Sequence, residues 1–498
     1  MNTTTSISPT PPRLFERVRL VTIRPPDYVH SAAFDELVAT LAAAFAALGS
    51  QVDTAINQPL VGEGINLVFG AHLIAPGVAL PANCILFNLE QMRSGRLAQN
   101  PQYAELLRRH LVLDYSARNA ALIREQTGNP QVHVCAIGYM PVLTRIAPAP
   151  RQDVDVLFYG SIVERRAKIF DALVAAGLKV QVLKGVYGAE RDAWIARSKI
   201  VLNVHCYEDR IHELVRTSYP LANRKVVVSE CDETTEIDAD VRDAIVAVPY
   251  ERLVETCMQL ARDDVRRREI EANAHAVFAR RDQKAILTEL LPRLSKPLPT
   301  RINLGSGKAY DPERLNIDID PKWNPDIVGN LGAPAGLRQI FFSRRFGLAR
   351  LEKDSFDEIA TMDVLEHIPD LVTMMTRCLD LLRVGGVMRN GVPYDLSWGA
   401  WQDPTHVRAF NERSWLYYTD WHWYLGWTEA RFDMTDMKMA LSPVGDALRQ
   451  RGLAADEIFR TPRAVDAMQV TLTKRLLTEQ EKERALNYLE GAQAHLSA

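Results

Sequence analysis

A chain of 498 residues is long enough for about three domains, each burying a core of its own. Its 47% hydrophobic and 24% charged residues are ordinary for a globular protein, and a net charge of -3 gives no reason to expect nucleic acid as a partner. The longest apolar run, Leu41–Leu48, is far shorter than the ~20 residues that a membrane span needs, so no span is predicted.

The amino terminus and the cysteines bear on the cellular compartment. Residues 1–12 are rich in Ser, Thr and Pro and lack the apolar core of a signal peptide, so a disordered tail is predicted for residues 1–17. The six cysteines lie far apart without a C-x-x-C pair, which indicates neither a zinc site nor a disulfide framework. The sequence therefore favours a cytoplasmic protein.

Residues 18–150 alternate between apolar strands and helical stretches, which predicts a doubly wound α/β domain. A helix is predicted at Phe34–Leu48, which has helical spacing and stops at Gly49. The predicted strands are Val18–Ile23, Ile65–Phe69, Cys84–Asn88, Leu111–Tyr115 and His133–Ile137. Polar residues 88–91 and 114–116 follow strand ends, where ligands bind in such sheets. Ordinary loop and capping roles fit those residues equally well.

A second alternation covers residues 151–297. Strand Asp155–Tyr159 runs into Gly160 and Ser161, and the next helix carries Arg165 and Arg166. Further strands are predicted at Val180–Leu183, Ile200–His205 and Lys225–Ser229, with a helix at Ile211–Ala222 that carries Glu213 and Arg216. A helical region is predicted at Val254–Ile286.

This second alternation resembles the nucleotide-binding half of GT-B glycosyltransferases, in particular the spore-coat-type branch, with residues 18–150 as the partner domain. The resemblance implies a UDP- or GDP-linked sugar donor. Backbone N–H groups at Gly160 and the guanidiniums of Arg165 and Arg166 would bind its diphosphate. Glu213, with Arg216 beside it, would bind the donor ribose. Two alternatives stay open: an i,i+3 ion pair of Glu213 with Arg216, and a solvated helix face for the other two arginines.

The third domain, residues 298–475, follows a proline-rich linker at Pro292–Thr300. An apolar strand runs into Gly305-Ser306-Gly307, and a second strand contains Asp318. The glycines let backbone N–H groups approach a ligand, and the carboxylate can accept hydrogen bonds from a ribose diol. A dinucleotide site is disfavoured, because Tyr310 replaces the third glycine and the acidic residue comes too early.

Further motifs follow in order: a strand tip with Asn330, a strand Ile359–Asp363 followed by Glu366 and His367, and a Gly-Gly turn at residues 385–386. Four separated motifs in this order resemble the class I S-adenosyl-L-methionine-dependent methyltransferases. The resemblance implies that this cofactor is bound by Gly305, Ser306, Gly307, Asp318, Asn330, Asp363 and Glu366. A capping role for Asp363 or Glu366 is an equal alternative. The crossover after the glycines is too short for a helix.

A tryptophan-rich stretch, residues 392–427, is predicted to be an acceptor-binding insert, because aromatic faces stack on sugar rings. Trp401, Asp403 and Arg408 are its predicted substrate contacts, and the other candidate aromatics are Trp398, Trp415, Trp421 and Trp423. His406 is the predicted general base for a hydroxyl, since its unperturbed pKa lies near physiological pH. His367 competes for that role or contacts the cofactor's methionine end.

Two expectations qualify this assignment of roles in the insert. Bracing of the loop by His406 and Arg408 fits the sequence equally well. No metal-ligand cluster stands near the cofactor motifs, so no metal is expected.

The predicted fold class is α/β, with two Rossmann-like domains in a GT-B-like arrangement and a carboxy-terminal class I methyltransferase domain. Val470–Thr473 is predicted as a last edge strand, and residues 476–498 as a helix that makes an oligomer contact.

The predicted function is methylation of a glycan or sugar hydroxyl, fused to glycosyl transfer, in the biosynthesis of cell-surface polysaccharide or glycoconjugates. One rival is a methyltransferase whose GT-B-like half only binds glycan. The other is a non-catalytic assembly protein.

Overall fold

The computed structural model describes residues 13–92, 96–206, 210–332 and 339–496. The chain divides into two compact units, which meet in sequence between Lys296 and Pro297. Most of the predicted tail lies outside the described residues. Its last residues belong to the fold, because Phe15 is buried and its ring lies 6.2 Å from that of Phe45.

The first sheet of unit 1 has six parallel strands in the order β2-β1-β3-β4-β5-β6. The strands are β1 (Arg17–Thr22), β2 (Gln51–Ile56), β3 (Ile65–Phe69), β4 (Cys84–Asn88), β5 (Leu111–Asp114) and β6 (Val132–Val134). The helices between them are α1 (Asp35–Ala47), α2 (Arg96–Gln99), α3 (Pro101–Arg109) and α4 (Ala117–Thr127). The sequence missed β2, which lies at the sheet edge and has no fully buried residue.

The second sheet of unit 1 has five parallel strands in the order β11-β10-β9-β7-β8. They are β7 (Val154–Tyr159), β8 (Val180–Leu183), β9 (Ser198–Asn203), β10 (Val226–Glu230) and β11 (Val246–Val248). The helices are α5 (Glu164–Ala175), α6 (Gly188–Arg197), α7 (Leu214–Ala222), α8 (Ala239–Asp243), α9 (Leu253–Arg262), α10 (Asp264–Ala279) and α11 (Gln283–Leu290). The predicted helical region 254–286 is three helices, because the side chains of Asp263 and Asp282 cap two new starts.

Unit 2 contains a seven-stranded sheet in the order β14-β13-β12-β17-β18-β20-β19. The sheet strands and a separate hairpin (β15, β16) are β12 (Arg301–Leu304), β13 (Leu315–Asp318), β14 (Ile327–Val328), β15 (Ile340–Ser343), β16 (Gly347–Arg350), β17 (Phe356–Met362), β18 (Leu382–Pro393), β19 (Ala430–Leu441) and β20 (Val465–Leu476). The helices are α12 (Leu371–Leu381), α13 (Gly399–Gln402), α14 (Pro443–Gln450), α15 (Ala455–Arg460) and α16 (Glu479–Leu496).

The predicted edge strand at Val470–Thr473 is wrong in its position. It is part of β20, which pairs antiparallel with both β18 and β19, and β19 forms the edge. The β12–β13 crossover lacks a helix, as predicted, and runs through turns. Parallel pairing joins β14, β13, β12, β17 and β18, so their carboxyl ends meet at one edge of the sheet.

The predicted fold class is confirmed: the chain is α/β, with three Rossmann-like sheets, of which two are parallel and the third is parallel except for β19 and β20. One stretch, Val29–Ala47, is long and apolar enough to span a membrane by length and composition. Half of it is buried inside the fold, where Leu37, Leu41 and Phe45 belong to the core. This packing explains its apolar composition, so the stretch gives no clear indication of a membrane span.

Candidate functional sites

The glycine turn of unit 2 is packed between two strand ends. Gly305 and Gly307 have φ values of +69° and +45°, in the left-handed region that favours glycine. The N–H of Gly305 donates to the carbonyl of Ile317 at 2.8 Å, and the N–H of Gly307 donates to Asp318 Oδ2 at 2.8 Å. A Cβ on Gly305 would lie 2.4 Å from Cγ2 of Val364. The turn therefore needs glycine and is held by the acidic strand tip.

Asp318 is buried, and its second oxygen, Oδ1, accepts from the N–H of Asp320 at 2.9 Å. Each carboxylate oxygen thus has one backbone donor and keeps further acceptor capacity for a ligand hydroxyl. The hydroxyl of Ser306 is buried with no hydrogen-bond partner among the described residues. Asn330 is exposed, and its Oδ1 accepts from the N–H of Gly332 at 2.9 Å. Of these side chains, the Ser306 hydroxyl is left entirely without a partner in the fold.

The tip of β17 leads into the next candidate residues. Asp363 is exposed with a φ of +55°, and its N–H donates to the carbonyl of Gly391 at 2.9 Å. Glu366 lies in a short 3-10 turn, Leu365–His367, and is only 1% exposed. Neither of its carboxylate oxygens has a hydrogen-bond partner within the described residues. Burial raises the pKa of the Glu366 carboxyl above its ordinary value.

Hydrogen bonds from the backbone and from the Arg408 side chain hold the insert against this turn. The N–H of Val407 donates to the carbonyl of Glu366 at 2.9 Å. Arg408 Nη2 donates to the carbonyls of Ile368 and Pro369, both at 2.7 Å. Arg408 therefore braces the loop, the alternative that the sequence left open, and its predicted substrate contact stays untested.

The insert places His406 against His367, with ring centroids 4.6 Å apart and an interplanar angle of 79°. Nδ1 of His406 lies 3.0 Å from the carbonyl of Ala400, which can only accept, so this nitrogen carries a proton when the ring is neutral and Nε2 does not. Nδ1 of His367 lies 2.9 Å from the hydroxyl of Thr405, which itself donates to Asp403 Oδ1 at 2.7 Å. Nδ1 of His367 therefore also carries the proton of the neutral ring, and its Nε2 does not.

These contacts bring His406 of the insert to Glu366 and His367, which are neighbours in sequence. One candidate ligand atom from each of Glu366, His367 and His406 lies within 4.8 Å of the other two. The sequence predicts no metal cluster, because it carries no signal that the insert folds back onto the β17 turn. The two histidines, expected to compete for one role, are neighbours in one cluster.

The aromatic residues of the insert differ in exposure. Trp401 is 66% exposed on α13, next to Ala400. Trp398 is 61% exposed, but the guanidinium of Arg463 lies 3.6 Å from its ring centroid. Trp415, another of the candidate aromatics, is buried in the core and offers no ring face at the surface. Trp401 is thus an exposed aromatic ring next to Ala400, whose carbonyl contacts His406.

Unit 1 holds a cavity of about 380 Å³ between its two sheets. The first sheet contributes Leu89, Glu90, Gln91 and Tyr115, all from the polar segments that follow strand ends. The second sheet and the helices beside it contribute Tyr159, Gly160, Ser161, Arg166, Arg191, Glu213 and Arg216. Glu36 lines the cavity from α1, on the side of the first sheet. The carboxyl ends of two parallel sheets therefore form a polar cleft.

Glu213 precedes α7 and lies between two guanidiniums. Its Oε1 accepts from Arg166 Nη2 at 2.7 Å, and its Oε2 lies 2.5 Å from Arg216 Nη1. Burial acts to raise the pKa of Glu213, but the charges of Arg216 and Arg166 outweigh it and lower that pKa. A Cβ on Gly160 would lie 2.9 Å from Arg216 Nη2, so Gly160 makes room for that guanidinium.

The four arginines near this cavity are not equivalent. Arg165 binds both oxygens of Glu230, and its guanidinium lies 4.0 Å from the ring centroid of Tyr250. It is not among the cavity-lining residues, so its predicted pairing with Arg166 in one phosphate site does not follow from the structure. Arg191, which the sequence missed, lines the cavity and binds Glu36 at 2.6 Å. No local motif distinguished it.

This chain is similar to known proteins over parts of its length only. No protein-family model matches the chain. The uncharacterized protein L140 of Acanthamoeba polyphaga mimivirus is 29% identical over 191 residues, 36% of this chain and 59% of that protein, so the chain spans less than two thirds of this relative.

Two solved structures share aspects of the fold at low TM-scores. WaaG, a glycosyltransferase involved in lipopolysaccharide biosynthesis, is similar with a TM-score of 0.38 at 12% identity, over 56% of this chain and 100% of that one. A SAM-dependent methyltransferase from Archaeoglobus fulgidus is similar with a TM-score of 0.24 at 14% identity, over 38% and 91%.

Proposed function

We propose that unit 2 is an S-adenosyl-L-methionine-dependent methyltransferase acting on a hydroxyl of a glycan or sugar. The observation that carries this proposal is the hydrogen bond from the Gly307 N–H to Asp318, which joins a glycine turn and an acidic strand tip at one sheet edge. In the proposal, Asp318 binds the cofactor ribose and the Gly305–Gly307 backbone approaches its methionine portion. Asn330 and Asp363 are proposed to contact the same cofactor.

The acceptor is proposed to lie at the insert. Methyl transfer is an in-line displacement, so the protein must align the acceptor oxygen, the methyl carbon and the sulfur. Trp401 offers an exposed ring for a sugar face, with Asp403 on the same loop. The Glu366–His367–His406 cluster lies beside this loop and is proposed to promote loss of the hydroxyl proton as the methyl group moves.

Unit 1 is proposed to bind a UDP- or GDP-linked sugar in its cleft and to transfer that sugar. Gly160 supplies close backbone approach, while Arg166, Arg216 and Arg191 supply positive charge for a diphosphate. Glu213 orients two of these arginines and borders the ribose. A fusion of the two activities would raise the concentration of the glycosylated intermediate near the methyl donor. A spore-coat-type ancestry and a role in polysaccharide or glycoconjugate synthesis belong to this proposal.

One observation favours a second candidate, in which unit 1 binds glycan or nucleotide without catalysis. The arginines that line the cleft already have carboxylate partners, since Arg166 and Arg216 bind Glu213 and Arg191 binds Glu36. A donor would have to share those guanidiniums or displace the carboxylates. The reducing cytoplasm stays the proposed compartment, in keeping with six free cysteines.

The experiment that tests both halves is calorimetry of the full chain, first with S-adenosyl-L-methionine and then with UDP- and GDP-sugars. Binding of the cofactor and of one nucleotide sugar supports the fused enzyme. A second measurement follows the melting temperature of a fragment of residues 1–297 with common nucleoside diphosphates. Cofactor binding by the full chain, without thermal stabilisation of this fragment, favours the second candidate. Absence of both would favour a non-catalytic assembly protein.

A further inference from the structure

The Glu366 carboxylate is a buried acidic group whose oxygens the described part of the fold leaves without hydrogen bonds. It is 1% exposed, and neither oxygen has a hydrogen-bond partner among the described residues. An ionised carboxylate in that position is costly, because it has lost its hydration and gained no partner. Buried polar groups of this kind call for an explanation, such as an ion or water that completes them.

Two imidazoles lie beside this carboxylate with one nitrogen each to offer. A candidate ligand atom of Glu366, of His367 and of His406 each lies within 4.8 Å of the others. Nδ1 of each ring is already hydrogen bonded, to the Thr405 hydroxyl in one case and to the Ala400 carbonyl in the other. Metal-binding histidines are typically oriented in this way, with the non-ligating ring nitrogen donating to a neighbour. Nε2 is then the nitrogen that each ring can offer to a cation.

The geometry points to a divalent transition-metal site formed by Glu366, His367 and His406. Two imidazoles and one carboxylate are suited to ions such as Zn²⁺, Mn²⁺, Fe²⁺ or Co²⁺, whereas Mg²⁺ and Ca²⁺ prefer oxygen ligands alone. The hydrogen bond from Val407 N–H to the Glu366 carbonyl holds the two contributing segments together. Three protein ligands leave coordination positions open for a substrate oxygen.

The ligand set stands on these contacts alone, whereas its catalytic role rests on the proposed methyl transfer. A metal ion that binds the acceptor hydroxyl withdraws electron density from it, so the proton leaves more readily to water. The oxygen electron pair forms the O–CH₃ bond as the S–CH₃ bond breaks, and the electrons of that bond go to sulfur. A hydroxyl and a sulfonium thus give a methyl ether, a thioether and one proton.

This assignment gives His406 a different role from the predicted general base. A ring nitrogen that binds a metal ion cannot accept the hydroxyl proton at the same time. Both histidines and Glu366 then contribute to catalysis through one ion. Trp401, on α13 beside Ala400, would lie at the edge of the acceptor site.

The test is titration of the metal-free full chain with Co²⁺, followed by calorimetry and by visible absorption, with Zn²⁺ as the competitor. One Co²⁺ per chain is expected. Glu366→Gln, His367→Asn and His406→Asn should each weaken Co²⁺ binding at least tenfold. Two controls in the same unit, Glu429→Gln and His422→Asn, should bind like the unaltered chain. Co²⁺ should raise the melting temperature of the unaltered chain and of the controls.

The assignment is overturned if no stoichiometric Co²⁺ binds, or if binding survives all three substitutions. Glu366→Gln keeps the shape of the side chain; if it fails to fold, the two histidine variants, whose rings are partly exposed, decide the question. Calorimetry with S-adenosyl-L-methionine on the same sample separates this proposal from the function. Metal binding without cofactor binding would keep the site and reject the methyltransferase. Cofactor binding without metal binding would reject the site and keep the methyltransferase.

Discussion

Gly305 and Val364 leave no space for a side chain between them, since a Cβ on Gly305 would lie 2.4 Å from Cγ2 of Val364. We expect Gly305→Ala to displace the turn that carries the Gly307 N–H and to weaken S-adenosyl-L-methionine binding at least tenfold. The measurement is calorimetry on the purified variant. The double variant Gly305→Ala, Val364→Ala should recover part of the affinity, because it removes the clash.

The control for this prediction is Gly385→Ala. Gly385 also has a positive φ, +81°, but a Cβ there would meet nothing within 4 Å. It therefore suffers the same kind of backbone strain without the clash, and its cofactor affinity should be unchanged. Equal losses in both variants would mean that strain, and not packing against Val364, explains the effect.

A second prediction concerns the acceptor. Trp401→Ala should lower kcat/KM for the acceptor roughly tenfold, the size typical of an aromatic anchor, with cofactor affinity unchanged. Trp398→Ala is a matched control, because this ring is similarly exposed but already lies under the Arg463 guanidinium. The measurement is steady-state kinetics once an acceptor is identified. A larger loss of kcat/KM for Trp398→Ala than for Trp401→Ala would mean that the acceptor binds at Trp398 instead.

A third prediction concerns the buried charges of unit 1. Glu213→Gln leaves Arg166, which is 1% exposed, and Arg216 without their shared carboxylate, so we expect a loss of about 3 kcal/mol in the free energy of unfolding. Glu164→Gln breaks the exposed pair with Lys168 and should leave stability nearly unchanged. Urea unfolding of both variants checks this. Equal stability of the two would show that Glu213 behaves as a surface residue.

A fourth prediction concerns pH. Burial lowers the pKa of His212 to about 3, and its ring is hydrogen bonded to Thr217 Oγ1. The unfolded chain therefore binds a proton near pH 6.5 that the folded chain refuses, so the stability from this residue is complete above pH 6.5 and falls as the pH drops toward 3. Between pH 7 and pH 5 the loss should be about 2 kcal/mol.

His212→Gln should flatten this dependence, since glutamine does not titrate. The measurement is the difference in unfolding free energy between pH 7 and pH 5 for the two proteins. His110 and His133, whose pKa values burial lowers to about 4, still titrate in the variant and leave a residual slope. An unchanged slope in the variant would mean that His212 is accessible to protons in the folded state.

The sequence predicted the strands whose apolar residues are continuous. Ile65–Phe69 and Cys84–Asn88 match the structure, because both are buried on both faces and read as unbroken apolar runs. Gln51–Ile56 and Ala430–Leu441 lie at sheet edges and alternate with polar residues, so neither was predicted. Position in a sheet depends on pairing between distant segments, which local pattern does not report.

In the candidate sites too, the sequence predicted what depends on local spacing and missed what depends on contacts between distant segments. The glycine turn and Asp318 are close in sequence, on successive strands, and local spacing was enough to predict that they lie together. His406 approaches Glu366 only because the insert folds back through Val407 and Arg408. The partners of Arg165 and Arg166 likewise come from separate elements, so the sequence could predict positive charge there but not its neutralisation.

The central claim is that unit 2 binds S-adenosyl-L-methionine through Asp318, and calorimetry of the full chain with this cofactor tests it most directly. The unaltered chain should bind one cofactor. Asp318→Ala should weaken binding by about 1.5–3 kcal/mol, or roughly tenfold to 150-fold, as for hydrogen bonds to a charged group. No binding by the unaltered chain, or equal affinity in the variant, would contradict the claim.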